Sequence, residues 1–320
     1  MRYGLGLIAA ALLALSGAAG AQDYPNRPIT MIVPFPPGGG NDTMARIVAA
    51  KLSTALGQQV VVDNRGGANG VIAMRTVARA APDGYTIVFA NTSSTTINLA
   101  LNPNAGYDTK KEFSPIGMFA SAGIGIIAHP TFPANNVAEF VAYLKANPGK
   151  VSIGTSPPGS GSHLSAELFK AKTGVDVTYV PYKGAAALNN DLIGSHIPAV
   201  FSVVPASLGA IKAGQLKVLA MTGTSRVSIL PDVPTVSETI PGFEAMLRYG
   251  LLAPAGTPRT IIDRLNSELQ ALSGADDVKS RIANEAGNAL TSTPEEYAAE
   301  IVREDALWVP LIRSLNLKME

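Results

Sequence analysis

Short apolar, β-branched runs alternate with helix-period segments along most of this 320-residue chain. That alternation narrows the fold more than any other feature. Strands are expected over Ile29–Phe35, Gln59–Asn64, Tyr85–Asn91, Ile124–His129, Val151–Thr155, Val175–Pro181, Pro198–Val203, Leu216–Thr222 and Tyr249–Ala253. Each is apolar on successive residues, as a strand buried on both faces must be. Between them, Met44, Ile47, Val48, Leu52 and Leu56 recur at helical spacing and stop at Gly57. Val137, Phe140, Val141 and Leu144 do the same before Asn147-Pro148-Gly149, and Leu164, Leu168 and Phe169 before Gly174. Strands alternating with helices imply parallel α/β sheets covered on both faces.

The runs divide into two βα arrays with no flexible linker between them. One spans residues 22–119 and the other 120–224, with strand-like crossovers expected near Pro115–Ala120 and Thr222–Pro231. After about Thr257 the chain turns mainly helical. Thr257 is the expected cap and Pro258 the first residue of one helix, and Thr293-Pro294-Glu295-Glu296 has the form of a capping box. The helix it opens carries Trp308 and meets Pro310, which should kink or divide it. These helices would rejoin the first array. The expected layout is a discontinuous first domain, 22–119 plus 225–320, and a second, 120–224, hinged about a ligand cleft.

The N-terminus bears on compartment. Arg2 precedes an apolar stretch, LGLIAAALLALSGAAG, and Ala19-Gly20-Ala21 has the small-x-small form of a signal-peptidase site. Residues 1–21 read as a signal peptide cleaved before Gln22, so the mature chain is expected in the periplasm. There is no Cys, hence no disulfide framework, lipid-anchor thiol or thiolate metal site. Basic and acidic residues nearly balance, 25 to 24, and aromatic residues are few, which argues against a nucleic-acid surface. Outside the cytoplasm, ATP and NAD are not generally available.

In open α/β sheets ligands sit beyond the carboxyl ends of strands. The segments there are PFPPGGGND (34–42), NTSSTT (91–96), TSPPGSGSH (155–163), PYKGAA (181–186) and SVVPAS (202–207). They are rich in Gly, Ser and Thr, with Lys183 the one obvious cation. Such loops opening helices present backbone N–H groups and a positive dipole end to an anion. Each alone is equally an ordinary βα turn or cap. The first loop lacks the Gly-Lys-Ser/Thr of a phosphate loop and the later Gly of a dinucleotide fingerprint. Asp42 serves as a helix-start carboxylate or a ligand contact. Ser160 or Ser162 with His163 would be the only hydrolase constellation, but no nucleophile elbow surrounds them and no orienting carboxylate is evident. Three scattered His give no metal-ligand spacing.

YPNRPITMIVPFPPGGGNDTMAR, APDGYT, GTSPPGSGSH, VPYKGAA, IKAGQLKVLAMT, LPDVPTVSE and YGLLAPAGTP follow one another in that order. Together they resemble the solute-binding proteins of tripartite tricarboxylate transporters, the Bug family, over essentially the whole mature chain. The resemblance implies a periplasmic-binding-protein-like α/β fold of type II, closing like a flytrap on a small organic acid. It implies no enzyme activity and no cofactor, a monomer, and membrane permease subunits as partners. A ligand-sensing protein for a membrane receptor would look the same. Carried over, the ligand contacts are Phe35, Pro36, Gly38, Gly39, Thr92 and Ser93 from the first domain. From the second they are Ser156, Gly159, Ser160, Ser162, His163, Lys183, Gly184 and Ala185, with Ser202 as a further candidate contact. Many relatives have Asp after the Phe of a later strand; here Phe201 is followed by Ser202. Ser202 cannot pair with an ammonium, so a plain dicarboxylate or aromatic acid is expected rather than an amino acid such as aspartate.

Overall fold

The computed structural model describes residues 24–67 and 70–317, so the expected signal peptide and its cleavage point lie outside the described residues. The chain begins β1 (Ile29–Val33), α1 (Gly40–Leu56), β2 (Val60–Asn64), α2 (Val71–Ala78) and β3 (Thr86–Asn91). A π-helical turn over Ser93–Ile97 runs into α3 (Asn98–Leu101), then α4 (Thr109–Glu112) and the long β4 (Phe113–Gly123). Next come β5 (Gly125–Ala128), α5 (Val137–Ala146), β6 (Ser152–Thr155), α6 (Gly161–Thr173) and β7 (Thr178–Pro181). They are followed by α7 (Ala185–Ile193), β8 (Ala199–Ser202), α8 (Leu208–Lys212) and β9 (Lys217–Met221). The chain closes with β10 (Met246–Pro254), α9 (Arg259–Gly274), α10 (Asp276–Asn284), β11 (Gly287–Ala289) and α11 (Pro294–Ser314).

The strands form a six-stranded sheet, β11-β4-β10-β3-β1-β2, and a five-stranded sheet, β7-β6-β8-β5-β9. The wholly parallel sheets expected from the alternation are not what forms. Within the βαβ units the pairing is parallel, β1 with β2 and β3, and β6 with β7 and β8. The strands that arrive from the other sheet run the opposite way: β10 against β3 and β4, and β5 against β8 and β9. No crossover helix reverses those connections, so antiparallel pairing results.

The sheet changes at Ile124, between β4 and β5, and again between Ala245 and Met246. Both points lie later than the sequence suggested. The segment 115–120, expected as a crossover, is sheet: β4 pairs β10 along its length and β11 only at Ala120–Ala122. Pro115 therefore faces no second strand on that edge, where its missing N–H costs nothing. Residues 222–245 stay with the second sheet because Val236, Phe243 and Ala245 are buried in one cluster with Phe140, Phe169 and Phe201.

Thr222 fastens the two crossings to each other. Its Oγ1 accepts from the Ile124 N–H at 2.7 Å and donates to the Ala245 carbonyl at 2.6 Å. The Ala245 N–H donates to the Thr222 carbonyl at 2.9 Å. Helix α11 is the third link. Tyr297 and Ile301 pack against the first sheet's core with Ile32, Val88 and Leu252, while Trp308 and Ile312 pack in the second cluster. Each such buried side chain contributes about 1.5–3 kcal/mol. That anchorage on both sides accounts for α11 continuing as one helix through Pro310 instead of dividing there.

The caps follow the sequence closely. Gly57 and Gly174 close α1 and α6 in the left-handed conformation, and Thr293 with Glu296 completes a capping box. The exception is α9, which starts one residue late at Arg259. Thr257 donates its hydroxyl back to the Pro254 carbonyl at 2.7 Å instead of capping the helix.

Candidate functional site

The carboxyl ends of β1, β3, β6, β7 and β8 face one cleft, a cavity of about 930 Å3 whose wall includes Phe35, Pro36, Ser93, Ser156, Lys183 and Val203. That size is in the range of small-molecule sites.

On the first sheet's side, β1 hands over to α1 through Pro34–Gly39. Gly38 has φ +85°, a left-handed conformation that L side chains adopt only at a cost. The turn is braced by Asp42, which is buried. Its Oδ2 accepts from the Gly38 N–H at 2.9 Å and Arg46 Nε at 3.0 Å, and its Oδ1 accepts from Asn64 Nδ2 at 2.9 Å. Burial alone would raise this carboxyl. The hydrogen bonds from Arg46, Gly38 and Asn64, with the Arg46 charge, outweigh burial and hold it below the usual carboxylate range. Asp42 therefore braces the loop, and the Gly38 amide is engaged. At the N-cap, Gly39 has no side chain to cap the first turn, so the first-turn amides of α1 have no intrahelical acceptor, and Gly39, Gly40 and Asn41 of that turn line the cleft. Asn41 lies in that turn on the cavity wall, 6% exposed, and neither its amide nitrogen nor its oxygen has a hydrogen-bond partner among the described residues.

The segment after β3 is helical rather than loop. Asn91 Oδ1 accepts from the Ser93 N–H at 3.1 Å, and the Ser94 and Thr95 hydroxyls donate back to the Asn91 carbonyl. Ser93 lines the cavity. Thr92 is buried behind it with its hydroxyl held between Glu304 and the Arg248 backbone.

On the second sheet's side, Ser156 and Ser160 line the cavity. Ser160 caps α6, accepting from the His163 N–H at 3.2 Å. Gly159, φ +79°, meets Leu101 of the opposite half, and an added Cβ would come within 2.7 Å of Leu101 Cδ1. Ser162 is buried below the cavity: its hydroxyl accepts from the Ser156 N–H and donates to the Phe201 carbonyl. His163 Nδ1 accepts from the Gly159 N–H at 3.3 Å, which puts the ring proton on Nε2, 3.5 Å from Glu167. Burial lowers the His163 pKa, so the ring is neutral near pH 7. Neither serine hydroxyl bonds to the imidazole, so the arrangement holds the loop rather than pairing a nucleophile with a base.

Lys183 is exposed on the wall, and Gly184 caps α7 with no side chain, leaving a second helix start bare. Ala185 is the first residue of that helix. Ser202 ends β8, 2% exposed, and Val203 takes the place on the cavity wall.

Some wall residues come from segments the sequence reading did not single out, Ala122, Gly123 and Leu247 at the crossings and Glu285 after α10, and Tyr249 comes from a strand it expected but did not name as a contact. Burial, with the Glu285 charge second, pushes the Tyr249 hydroxyl up to about 12. Burial raises the Glu285 carboxyl. Ser202 supplies no charge from the second sheet's side, but a carboxylate, Glu285, lines the cavity from the first.

Two α/β halves enclosing a cleft lined by bare helix starts define a solute-binding protein of the periplasmic type. Residues 44–317 match the model of the tripartite tricarboxylate transporter family receptor. BugT of Bordetella pertussis is 34% identical over 308 residues, 96% of this chain and 94% of its own. A solved periplasmic transporter superposes with a TM-score of 0.78 at 37% identity, covering 93% of this chain and all 100% of that one. An R. palustris protein solved with adipate gives 0.78 at 33% identity, covering 92% and 99%. MatC of Rhodopseudomonas palustris, with bound malate, gives 0.74 at 29%, covering 90% and 100%. The chain belongs to the tripartite tricarboxylate transporter receptor family and is a Bug-type solute-binding protein. The family consists of periplasmic receptors rather than enzymes.

Proposed function

We propose that this protein captures a small organic acid between its two halves and delivers it to the membrane permease subunits of a tripartite transporter, working as an exported monomer. In this reading residues 1–21 direct export and are removed before Gln22. The two halves act as hinged lobes close to the expected 22–119 plus 225–320 and 120–224, with their boundaries moved to the sheet changes at Ile124 and Met246, which serve as pivots. The observation that carries it is one cavity lined by the bare start of α1 and by Asn41, unpartnered among the described residues, on one side, and by Ser156, Ser160 and Lys183 on the other. A carboxylate there gains N–H donors, a dipole and a cation, and leaves no strong buried ion pair to break on release. The adipate and malate structures of relatives support the same ligand class.

The test is a thermal-unfolding screen of small carboxylic acids on residues 22–320. A ligand at 100 times its Kd stabilises by about 2.7 kcal/mol, enough to find it. A panel in which no acid raises the midpoint would reject the reading. Uptake of the acid so found should then be lost on deleting the gene and restored by the wild-type copy.

A further inference from the structure

Resting on the organic-acid reading, we infer that Glu285 is a specificity-determining residue: with Asn41 and Tyr249 it receives a hydrogen-bond donor, a hydroxyl or an ammonium, carried by the ligand beside its carboxylate.

These three residues come from distant parts of the chain and line the same cavity. Asn41 is buried with both amide atoms unpartnered among the described residues. The Tyr249 hydroxyl lies against the first turn of α1, 3.9 Å from where a Cβ on Gly40 would be, and the Glu285 charge acts on it. Glu285 is half-buried in the turn between α10 and β11. It forms no side-chain hydrogen bond or ion pair among the described residues, and burial already raises its pKa. The next residue, Ala286, is buried with φ +51°, and its N–H bonds to the Ala283 carbonyl, while the Glu285 N–H bonds to the Ile282 carbonyl. The backbone thus accepts an unfavourable left-handed residue in a turn that carries a lone carboxylate at the cavity.

A carboxylate in that position has a definite selectivity. It repels a second carboxylate brought close to it and attracts a donor. Asn41 is ambivalent: its NH2 can donate to the ligand carboxylate held at the start of α1, and its oxygen can accept from the adjacent donor. An acid with a bare methylene at this point leaves Glu285 and the Asn41 oxygen without partners in a closed cleft, which is how a polar site rejects an analogue lacking the polar group. Glu285 supplies from the first half the charge that Ser202 does not supply from the second.

The experiment is calorimetric titration of the wild type and Glu285→Gln with matched acids: succinate, malate and aspartate, then adipate and 2-aminoadipate. The expected result is that the wild type prefers a donor-bearing acid over its plain analogue by about tenfold. Glu285→Gln should remove that preference, weakening the donor-bearing acid and leaving the plain one unchanged or tighter. Malate against aspartate distinguishes hydroxyl from ammonium. Equal weakening of every acid by Glu285→Gln would overturn the inference, since a hinge or packing role does that. A wild type that binds plain acids with no preference would overturn it too, leaving the organic-acid reading intact. A wild type that binds none of the panel would overturn both.

Discussion

Thr92 Oγ1 donates to Glu304 Oε1 at 2.6 Å and accepts from the Arg248 backbone N–H at 2.9 Å. One hydroxyl thus joins the segment beneath the cleft, the strand that returns from the second sheet, and the helix that spans both cores. Glu304 is 2% exposed and lies on α11 between Ile301 and Trp308, which belong to different hydrophobic clusters. Around it, Arg248 pairs with Glu244, Glu300 at 2.9 Å and Glu304 at 3.3 Å, and Arg303 pairs with Glu244 and Glu300. Three carboxylates share two guanidiniums. Burial pushes the Glu304 carboxyl up to about 7, against the lowering effects of Thr92 and Arg248 and with help from Glu300.

The sign of the resulting pH dependence follows from linkage. The unfolded carboxyl titrates near 4.5 and the folded one near 7, so between these values the folded state holds the extra proton. The stability from this group is full below the lower value and is lost as pH rises through the upper, a change of a few kcal/mol at most. Urea midpoints from pH 5 to 8 should fall more steeply in the wild type than in Glu304→Gln, whose amide oxygen still accepts from Thr92. Parallel curves for the two proteins would show that Glu304 does not titrate there.

Thr222→Val keeps the shape and removes the hydroxyl that links Ile124 to Ala245. A buried N–H and a buried carbonyl lose their partners, costing on the order of 2 kcal/mol. Chemical denaturation measures that loss. Because both crossings pass through this point, the closing equilibrium should move too, read as a change in ligand affinity without any change at the cavity wall.

Gly38→Ala introduces a Cβ with nothing within 4 Å of it, so its cost is conformational, about 1–2 kcal/mol for the left-handed residue. Asp42→Ala should cost at least as much, because it frees the Gly38 amide, Arg46 and Asn64 together. Both should weaken ligand binding by loosening the start of α1. Calorimetry showing unchanged affinity in Asp42→Ala would mean the loop does not hold the ligand.

His163 should titrate below 6.5, its ordinary value, because burial disfavours its charged form. The midpoint of its ring proton by NMR measures this directly. Ligand affinity should consequently show no His163 inflection between pH 7 and 8, and a midpoint above 7 would place a charge in the loop that the geometry does not accommodate.

The parts of the site that were readable in the sequence are local ones. The loop Pro34–Asp42 couples a strand end, a left-handed glycine and a helix start within nine consecutive residues, and each leaves a compositional mark. The same holds for Ser156–Gly161 and for the caps at Gly57, Gly174 and Thr293. Antiparallel β4 and β10 were hidden because strand direction depends on where the chain has come from. The three-residue β11 carries no apolar run at all. Glu285 follows an amphipathic surface helix and reads as its solvated end, and only the pairing of β11 with β4 brings it to the cleft. Thr92 and Ser162 have the right chemistry for a ligand but face backbone and Glu304 instead, a choice of side-chain direction that spacing does not reveal.

The most direct test of ligand capture in this cleft is titration of residues 22–320 with the best acid from the thermal screen, beside a Gly39→Phe variant. Gly39 has an ordinary extended backbone with φ −86° at the exposed start of α1, where a Phe ring would fill the cavity without straining the fold. The wild type should bind one acid per chain, and Gly39→Phe should lose at least about a hundredfold in affinity, with its unfolding midpoint little changed. An acid that binds both proteins equally well would place the ligand elsewhere and contradict the account.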